Sequence, residues 1–478
     1  MAHLKKTKII ATIGPATESD EMLRKLINEG VNVARLNFSH ADHMEHQFRV
    51  DNMRDIAKKT GKPFAILQDL AGPKIRIGEL STEKITLKEG ETFTLTTEKI
   101  VGDVDRVYVN YPDLPKEVKV GGFILIQDGQ KKLEIIEIKD NNVICKIIVG
   151  GSLGSNHGVN LPGAHLKISS LTEKDKHDLE FGIKNKVDFI ALSFVRKPEN
   201  ILELREILDK AKSQAQIIAK IETPEAVENI DKIIEVSDGV MVARGDLAIE
   251  VPAETVPMIQ KIIIKKCNMV GKPVITATQM LESMIKSPVP TRAEVSDIAN
   301  AILDGTDALM LSEETTLGLY PVEAVKVMTR VAKQIENDEY SEERYDLGRG
   351  VDKGKGPLIV PDAVSGGAVR ISHDVGAKLI FALTESGFTT RMISRYKPSP
   401  LIIAITPNQI TANQLMLSYG CSPVVIPRVT TLDEAFDVVR KFCLENKFAK
   451  NGDKVVIAAG APFNTEAIPT NMILVEEI

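Results

Sequence analysis

The sequence predicts an α/β fold: a (β/α)8 TIM barrel with an inserted small β-barrel lid domain and a C-terminal α/β domain. Three observations predict it. Short β-rich runs alternate with amphipathic helical stretches through most of the N-terminal two thirds, which is typical of βαβ units around a parallel sheet. A long interval separates the third run from the fourth. A second α/β pattern then follows a polar, glycine-rich segment.

Eight β-rich runs precede the polar segment, and eight strands fit a closed barrel better than an open sheet. Counting alone leaves the open sheet as an alternative. The barrel is expected to comprise residues 1–77 and 162–344. The predicted strands are Thr7–Ile13, Asn32–Phe38, Phe64–Asp69, Asp188–Ser193, Gln216–Ile221, Gly239–Val242, Pro273–Thr278 and Asp307–Ser312.

The interval between the third and fourth strands predicts an inserted domain over residues 78–161. It contains the alternating stretches Lys84–Leu87, Thr92–Thr96 and Val143–Ile148, with glycine turns between them, which indicates a small β-barrel. An insertion after a barrel strand projects from the face where active sites of this fold lie. The inserted domain can therefore act as a lid.

The segment Leu347–Pro357 has the composition of a linker, and the pattern after it predicts a C-terminal α/β domain over residues 345–478. Helical stretches separate the first four strands of this domain. The predicted strands are Ile380–Leu383, Leu401–Ile405, Pro423–Ile426, Lys454–Ala458 and Met472–Val475.

The amino-acid composition narrows the classes of molecule that this protein is expected to bind. The formal charge is -6 and there is no long basic block, which argues against binding of nucleic acid. No apolar run has the length of a membrane helix, and the N-terminal residues lack the apolar segment of a signal peptide. The four cysteines and eight histidines are scattered, without the spacing of a zinc site or disulfide framework. We expect a cytoplasmic protein that binds small molecules and neither membranes nor nucleic acid.

Polar side chains follow the predicted barrel strands at their C-terminal ends, which all meet at one face. The mixture of cations, carboxylates, hydroxyls and glycine turns suits a polyanionic ligand held with a divalent metal. Glu222 and Asp246 could supply the one or two carboxylates that Mg²⁺ commonly takes. Either acid alone would more often cap a helix, but together, beside Lys220 and Arg35, they favour a metal site.

Several of these stretches resemble signatures of the pyruvate kinase family. The resemblance runs in the same order over most of the first 340 or so residues, with the insertion where the family has its lid. It implies transfer of the phosphoryl group of phosphoenolpyruvate to ADP, giving pyruvate and ATP, the last step of glycolysis. It also implies a cytoplasmic, allosteric homotetramer. The matching stretches are Arg35–His40, Gly72–Arg76, Ile217–Val227, Met241–Leu247, Thr276–Met284, Pro290–Val295 and Met310–Thr315.

The resemblance implies roles for the charged residues. Arg35 and Lys220 would hold the phosphoryl group, with Lys220 also neutralising charge on the enolate oxygen. Glu222 and Asp246 would bind Mg²⁺, or Mn²⁺ in its place. Phosphoryl transfer needs little covalent help from the protein, so positioning and charge are the expected contributions.

The resemblance also implies which groups bind the substrate carboxylate and which take part in protonating the enolpyruvate carbon. Thr278 lies where the family has a residue near that carbon, and Ser312 with Glu314 could continue a water-mediated proton relay. Thr278 alone would more often satisfy the backbone at a strand end. Backbone N–H groups at a helix start would bind the carboxylate; they belong to Ala243, Arg244, Gly245 and Asp246.

On the nucleotide side, His40 and Arg76 match family positions that contact or support the ADP phosphates. The chain departs from the family at His157, where many relatives have a lysine, and also at Gln127 and Ala248. A neutral imidazole is a weaker phosphate ligand than an ammonium. Nucleotide affinity is therefore expected to be lower or more pH-sensitive than in those relatives.

The potassium site of the family matches a set of oxygen ligands here, but its glutamate is replaced by Lys74. The ammonium could supply the positive charge that a bound K⁺ otherwise provides, so no potassium requirement is expected. The alternative is that Lys74 is a solvated loop lysine. The matching ligand positions are Asn37, Ser39, Asp69 and the backbone of Leu70.

A C-terminal loop resembles the effector-phosphate loop of regulated relatives, with hydroxyls and backbone N–H groups that could bind an anion. Phe388 replaces a basic residue of several relatives, so weak or no activation by fructose 1,6-bisphosphate is expected. A turn capping the next helix is equally compatible with the sequence. The loop residues are Thr384, Ser386, Gly387, Thr389 and Thr390.

Two other functions are compatible with parts of the pattern. A magnesium-dependent aldolase or lyase acting on pyruvate enolates could use the same barrel and metal carboxylates, but would not need a nucleotide lid. A degenerate relative could only sense sugar phosphates through its C-terminal domain. Lys220, Glu222, Asp246 and Thr278 argue against the sensor, which would not need all four.

Overall fold

The computed structural model describes residues 5–61, 63–164, 166–337, 359–462 and 468–478, and the predicted linker Leu347–Pro357 lies outside them. Eight parallel strands close into a barrel in the order β1-β16-β15-β14-β13-β12-β3-β2, so the open-sheet alternative is wrong. Strands are numbered in chain order; the barrel strands are β1 Lys8–Thr12, β2 Val33–Asn37, β3 Ala65–Asp69, β12 Phe189–Leu192, β13 Gln216–Ile221, β14 Gly239–Ala243, β15 Val274–Ala277 and β16 Ala308–Leu311.

The barrel strands are short and apolar because both of their faces are covered. Every residue of β14, for example, is buried. The surrounding helices begin at capping boxes such as Asp42 with Glu45 and Thr291 with Glu294. Those helices are Asp20–Glu29, His43–Thr60, Glu173–Lys184, Pro198–Lys210, Pro224–Glu228, Ile230–Val236, Arg244–Glu250, Val256–Val270, Arg292–Asp304, Glu313–Thr316 and Pro321–Glu336, with 3₁₀ turns at Ala253–Thr255 and Glu282–Ile285.

The inserted domain after β3 is a β structure with its own core, built around Phe93, Leu95 and Leu133. Its strands form a six-stranded sheet in the order β11-β7-β8-β9-β5-β6 and a two-stranded sheet of β10 and β4. A short helix, Leu114–Glu117, lies between β6 and β7. The strands are β4 Lys84–Leu87, β5 Thr92–Thr96, β6 Arg106–Tyr108, β7 Phe123–Ile126, β8 Lys131–Lys139, β9 Asn142–Val149, β10 Gly151–Gly154 and β11 Val159–Asn160.

The C-terminal residues form the predicted α/β domain, a five-stranded sheet in the order β19-β18-β17-β20-β21 with β21 antiparallel to β20. The strand β19 begins earlier than predicted and contains Pro423, which an edge strand tolerates because its N–H side need not pair. The strands are β17 Leu379–Leu383, β18 Leu401–Thr406, β19 Cys421–Val425, β20 Lys454–Ala459 and β21 Met472–Glu477; the helices are Val360–Asp374, Phe388–Ser394, Gln409–Leu415 and Leu432–Glu445.

The C-terminal domain contacts the N-terminal end of the barrel. Lys397 Nζ lies 2.7 Å from Asp307 Oδ1, just before β16, and Asn413 Nδ2 donates to Asp188 Oδ1, just before β12, at 3.0 Å. Leu417 is buried in the same apolar cluster as the barrel interior. The opposite end of the barrel lies beneath the inserted domain and is open to ligands through the cavity between them.

No helix within the described ranges is both long and apolar enough to cross a lipid bilayer.

Candidate active site

Arg35 and Lys220 meet at the C-terminal end of the barrel through a shared carboxylate. Arg35 Nε lies 2.7 Å from Asp69 Oδ2, and Lys220 Nζ lies 3.2 Å from Asp69 Oδ1. Burial alone would raise the pKa of Asp69, but the charges of Lys220 and Arg35 outweigh it and hold that pKa below its usual value. Asp69 is therefore an ionised carboxylate that orients both cations.

Lys220 is buried in a predominantly anionic environment. Its ammonium donates to Ser193 Oγ at 2.7 Å and lies 2.9 Å from Glu222 Oε1, in addition to its contact with Asp69. Burial opposes the charged form, yet the charges of Asp69, Glu222 and Asp246 raise the pKa of Lys220 above its usual value. The lysine is a fixed cation rather than a proton donor.

Glu222 and Asp246 provide the oxygen donors suited to a hard divalent cation. Glu222 is buried and its Oε2 accepts from the Phe194 N–H at 2.7 Å, while Asp246 lies half-buried in the helix Arg244–Glu250. Burial raises the pKa of Glu222, the Lys220 ammonium opposes that rise, and the charge of Asp246 adds to it. A divalent cation would relieve this repulsion between two carboxylates.

Within the described ranges no three Asp, Glu, His or Cys residues converge as metal ligands. Glu222 and Asp246 are two carboxylates whose charges interact, and a magnesium-type site takes one or two protein carboxylates and completes its octahedron with water and substrate oxygens. The residues present therefore fit Mg²⁺ or Mn²⁺.

Thr278 is held in a conformation that β-branched residues rarely adopt. Its φ is 66° and that of Gln279 is 55°, both in the left-handed region. The Thr278 hydroxyl donates to Ala277 O at 2.6 Å and accepts from the Gly245 N–H at 2.7 Å. Such strain persists only where surrounding contacts enforce it, and it is common at functional sites. The Gly245 N–H, expected to face the substrate carboxylate, is thus bonded to Thr278.

The Arg244 guanidinium is committed to protein contacts. It donates to Ala277 O at 3.2 Å and to Thr278 O at 2.9 Å, and it lies 2.7 Å from Asp297 Oδ1. The side chain therefore braces the end of β15 against the helix Arg292–Asp304. Only the backbone of Arg244 remains available to a substrate carboxylate.

Glu314 joins the loops that follow β15 and β16. Its buried carboxylate accepts from the Leu281 N–H at 3.0 Å and from the Ser312 N–H at 2.7 Å. Burial raises the pKa of Glu314. Ser312 is half-buried beside it. These two residues lie together, and the carboxylate has a structural role whether or not it relays protons.

A cavity of about 500 Å³ lies between the inserted domain and the barrel. Lys74, Arg76, His157, Arg196 and Asp246 are among its lining residues. Arg76 also donates to Asn156 O of the inserted domain at 3.2 Å. The cavity has the size needed for a nucleoside diphosphate. Lys74, Arg76 and Arg196 are its cationic groups, and carboxylates also line it: Asp128, Glu225, Glu228, Asp246 and Glu250.

His40 does not line this cavity but lies close to its cations. Desolvation and the charges of Lys74, Arg76 and Arg35 lower the pKa of His40. The lowered pKa favours the neutral imidazole. His40 therefore adds little positive charge to this cationic cluster.

The oxygens expected to match a potassium site mostly have protein partners. Asn37 Oδ1 accepts from the Ser39 N–H at 3.1 Å, and Leu70 O accepts from the Ser193 hydroxyl at 2.7 Å. Asp69 is shared between two cationic side chains. Asn37 Oδ1, Leu70 O and the Asp69 carboxylate are thus engaged by hydrogen bonds and ion pairs.

Lys74 is exposed at the cavity wall, and its ammonium makes no hydrogen bond or ion pair with the part of the chain that the structure describes. Desolvation, followed by the charges of Arg76 and Lys220, lowers the pKa of Lys74, while Asp246 and Asp69 oppose that change. Lys74 is therefore electrostatically coupled to the site despite its exposure.

The C-terminal loop expected to bind an effector borders a cavity of about 890 Å³. Thr384, Ser386 and Thr389 line it, whereas Gly387 sits in the left-handed region with a φ of 81° before the helix Phe388–Ser394. The hydroxyl of the remaining loop residue, Thr390, is buried and makes no hydrogen bond with the residues that the structure describes.

Several lining or supporting residues were not anticipated from the sequence, among them Arg196 in the cavity beneath the inserted domain. Arg391 and Arg428 add cationic groups to the C-terminal cavity. Ser193, at the end of β12, contacts Lys220. Arginines on surface elements and a serine at a strand end are common, so no sequence signal distinguishes them.

Comparisons with known proteins agree with this arrangement. Residues 4–325 match the pyruvate kinase barrel domain, and residues 362–476 match the pyruvate kinase alpha/beta domain. Pyruvate kinases of Clostridium acetobutylicum and Clostridium perfringens are each 45% identical to this chain over 99% of it and 100% of their own length. The crystal structure of a pyruvate kinase from Cryptosporidium parvum has a TM-score of 0.93 and 40% identity, covering 99% of this chain and 96% of that one.

Proposed function

The chain belongs to the pyruvate kinase family, and on that premise we propose how its own residues transfer the phosphoryl group of phosphoenolpyruvate to ADP. The observation that carries the proposal is the buried Lys220 ammonium, held by Ser193, Glu222 and Asp69 at the C-terminal end of the barrel. A fixed cation there matches a reaction whose main requirement is stabilisation of moving negative charge.

In the proposed mechanism Arg35 and Lys220 bind the phosphoryl oxygens. Their shared contact with Asp69 holds both cations in place before substrate arrives, so little reorganisation accompanies the reaction. Lys220 also stabilises the enolate oxygen that develops when the phosphoryl group leaves.

Glu222 and Asp246 would hold Mg²⁺ or Mn²⁺, as the repulsion between these two carboxylates suggests. When bound, the ion supplies positive charge to the oxygens of the substrate. The backbone from Ala243 to Asp246 orients the substrate carboxylate. The Gly245 N–H already donates to Thr278 Oγ1. The substrate carboxylate and the Thr278 hydroxyl are therefore expected to share this donor.

Thr278 is the residue proposed to lie beside the methylene carbon that takes up a proton. Its strained backbone fixes the hydroxyl direction, and the raised pKa of buried Glu314 is compatible with a proton relay through Ser312 and water. The ADP phosphates are proposed to contact Arg76, with His40 in support. His157 also lines the cavity, next in the chain to Asn156, whose carbonyl accepts from Arg76.

A coupled assay with phosphoenolpyruvate and ADP tests this proposal. We expect ATP to form only when Mg²⁺ or Mn²⁺ is present. Lys220→Met should lower the turnover rate by on the order of a hundredfold or more while the protein stays folded. Near-normal turnover in this variant would contradict the assignment, and pyruvate-enolate cleavage without any ATP formation would favour the aldolase or lyase hypothesis.

The second proposal is that Lys74 replaces a monovalent cation. It is supported by the charge coupling of Lys74 to Asp69 and Asp246, and by the hydrogen bonds that Asn37 Oδ1 and Leu70 O already accept. We expect full activity in sodium buffer and potassium dependence in Lys74→Glu. A wild-type rate that collapses without potassium at constant ionic strength, and returns with it, would overturn this proposal.

The third proposal concerns the C-terminal cavity, whose loop residues and two arginines suit a phosphorylated effector. Because Phe388 is exposed where a cation would be useful, we expect weak or no activation by fructose 1,6-bisphosphate, with a monophosphorylated sugar or nucleotide as the candidate effector. A large shift of the phosphoenolpyruvate response with the bisphosphate would contradict it.

The domain division at residues 77/78, 161/162 and 344/345, a homotetrameric assembly and a cytoplasmic location are further proposals. A division into three parts is supported by the separate apolar cores of the inserted and C-terminal sheets, and the core of the inserted domain also takes in Ile75 and Ile77. The assembly and the location rest on family membership. Light scattering of the purified protein tests the tetramer: a monomer mass at micromolar concentration would contradict it.

A further inference from the structure

The ammonium of Lys220 has three hydrogens and three acceptors. Ser193 Oγ is at 2.7 Å, Glu222 Oε1 at 2.9 Å and Asp69 Oδ1 at 3.2 Å. All three protein partners are themselves buried. Lys220 can therefore reach a substrate oxygen only by giving up one of these partners.

Ser193 can act toward Lys220 only as an acceptor. Its single hydrogen is donated to Leu70 O at 2.7 Å, so an oxygen lone pair must face the ammonium. The result is a directed chain of hydrogen bonds from Lys220 through Ser193 to the backbone after β3. The direction of this chain is set by the backbone carbonyl and does not change with pH.

The sheet register brings these groups together. β12 pairs with β3 at Ala191 and Asp69, and with β13 at Leu192 and Ala219. The next residue after β12, Ser193, thus lies between the ends of both neighbouring strands. Phe194, one residue further, donates its N–H to Glu222 at 2.7 Å. Two consecutive residues after β12 hold the two charged side chains at the end of β13.

Ser193 differs from the other two acceptors in being neutral. Asp69 already accepts from Arg35, and Glu222 would turn toward a divalent cation. A hydroxyl does not compete with carboxylates for that cation, so its bond to Lys220 survives when the carboxylates are engaged. The bond then decides where the ammonium points.

We propose that Ser193 is a positioning residue for Lys220, which keeps the ammonium directed at the transferred phosphoryl group once Glu222 is occupied by metal. This inference rests on the phosphoryl-transfer role proposed for Lys220. Without the hydroxyl, the ammonium is left to the two carboxylates, which draw it away from substrate and compete with metal.

Steady-state kinetics of Ser193→Ala, Ser193→Thr and Lys220→Met test the proposal, with thermal unfolding to establish that each is folded. Ser193→Ala should lower kcat roughly 10- to 100-fold, since a hydrogen bond to a charged group is lost. The KM for phosphoenolpyruvate should change little, and half-saturation by Mg²⁺ should need more metal. Ser193→Thr should restore most of kcat. If its added methyl prevents folding, Ser193→Cys, with a weaker acceptor, should give an intermediate kcat.

Ser372→Ala is the matched control, since Ser372 is equally buried but donates only to Val369 O in the C-terminal domain at 2.6 Å. Wild-type kcat in Ser193→Ala beside an inactive Lys220→Met would overturn the role of Ser193 and leave the proposed function intact. Parallel changes in kcat and KM that neither Thr nor Cys reverses would also overturn it, since they indicate a structural role. An active Lys220→Met would contradict the proposed function itself.

Discussion

A buried lysine lies near each end of the barrel, and the two are held in opposite ways. Lys220, at the C-terminal end, has Asp69 and Glu222 within 3.2 Å and 2.9 Å, and these carboxylates raise its pKa. Lys397, at the N-terminal end, has the single carboxylate of Asp307 at 2.7 Å, and burial lowers its pKa despite that partner. Lys220 lies among several carboxylates, whereas Lys397 is paired with one carboxylate that also attracts the buried Lys8.

The surroundings explain the difference. The C-terminal end opens toward the cavity beneath the inserted domain, where Asp246 adds further negative charge. The N-terminal end is sealed by the C-terminal domain, with Leu417 in the apolar cluster of the barrel interior. Carboxylates grouped beside a cavity are suited to binding ions and substrate, whereas a buried ion pair closed off from solvent is suited to docking two domains.

Asp246→Ala is expected to have the largest effect, because it removes one of only two carboxylates proposed to hold the metal. Activity should be lost, or should require far higher Mg²⁺ for half-maximal rate, while stability changes little. A magnesium titration of the rate measures this. An unchanged titration would mean that the metal binds elsewhere and that the C-terminal end is not distinguished by its charge.

Lys397→Met is expected to lower the free energy of unfolding by about 3–5 kcal/mol, since it removes the ammonium in contact with the buried Asp307 carboxylate and leaves only the more distant charge of Lys8. The kcat of the folded fraction should stay near that of the wild type. Denaturant unfolding and kinetics on the same preparation measure both quantities. An unchanged stability with reduced kcat would contradict a docking role for this pair.

Leu417→Ala is expected to cost about 2–5 kcal/mol of stability through lost apolar burial and the cavity left at the barrel floor. Leu444, on the helix Leu432–Glu445, is 45% exposed, and Leu444→Ala provides the matched control with little expected effect. Equal stabilities for the two variants would show that Leu417 does not seal the barrel.

His46→Gln should have the smallest effect, confined to acid. Burial, aided by the charge of Arg49, lowers the pKa of His46 from 6.5 to about 4. Between these values the unfolded chain binds more protons than the folded one, so stability falls as pH falls. The loss is at most about 3 kcal/mol, at about 1.4 kcal/mol per pKa unit.

The amide introduced by His46→Gln cannot titrate, so the variant should show a flatter stability profile between those two pH values, measured by denaturant unfolding at successive pH. The exposed His373 offers a control, because His373→Gln should leave the slope as in the wild type. A wild-type slope in His46→Gln would remove His46 as the cause.

Much of the barrel could be predicted from the sequence because its strands are continuous apolar runs bounded by polar residues. The strand β13 has the predicted bounds, Gln216–Ile221, and the others differ by a single residue at one or both ends. The approach of Leu417 to the barrel interior could not be predicted. A leucine that follows a short helix is usually buried in the core of its own domain. Only the contact between the two domains places Leu417 in the apolar cluster of the barrel.

The charged residues of the site were predictable because they follow barrel strands, which all end at one face. The details that organise them were not. Ser193 lies 27 residues from Lys220 along the chain, so their hydrogen bond depends on strand register. The left-handed φ of Thr278 runs against the preference of a β-branched residue and is imposed by contacts with Gly245 and Arg244.

The comparison of the two ends is tested most directly by the rate of ATP formation from phosphoenolpyruvate and ADP in Lys220→Met and Lys397→Met, measured side by side per mole of folded protein. Both changes replace a buried ammonium by a methionine side chain of similar length. We predict that Lys220→Met loses on the order of a hundredfold or more in rate, whereas Lys397→Met retains a rate near that of the wild type. Similar rates in the two variants would contradict the assignment of chemistry to the C-terminal end and of docking to the other.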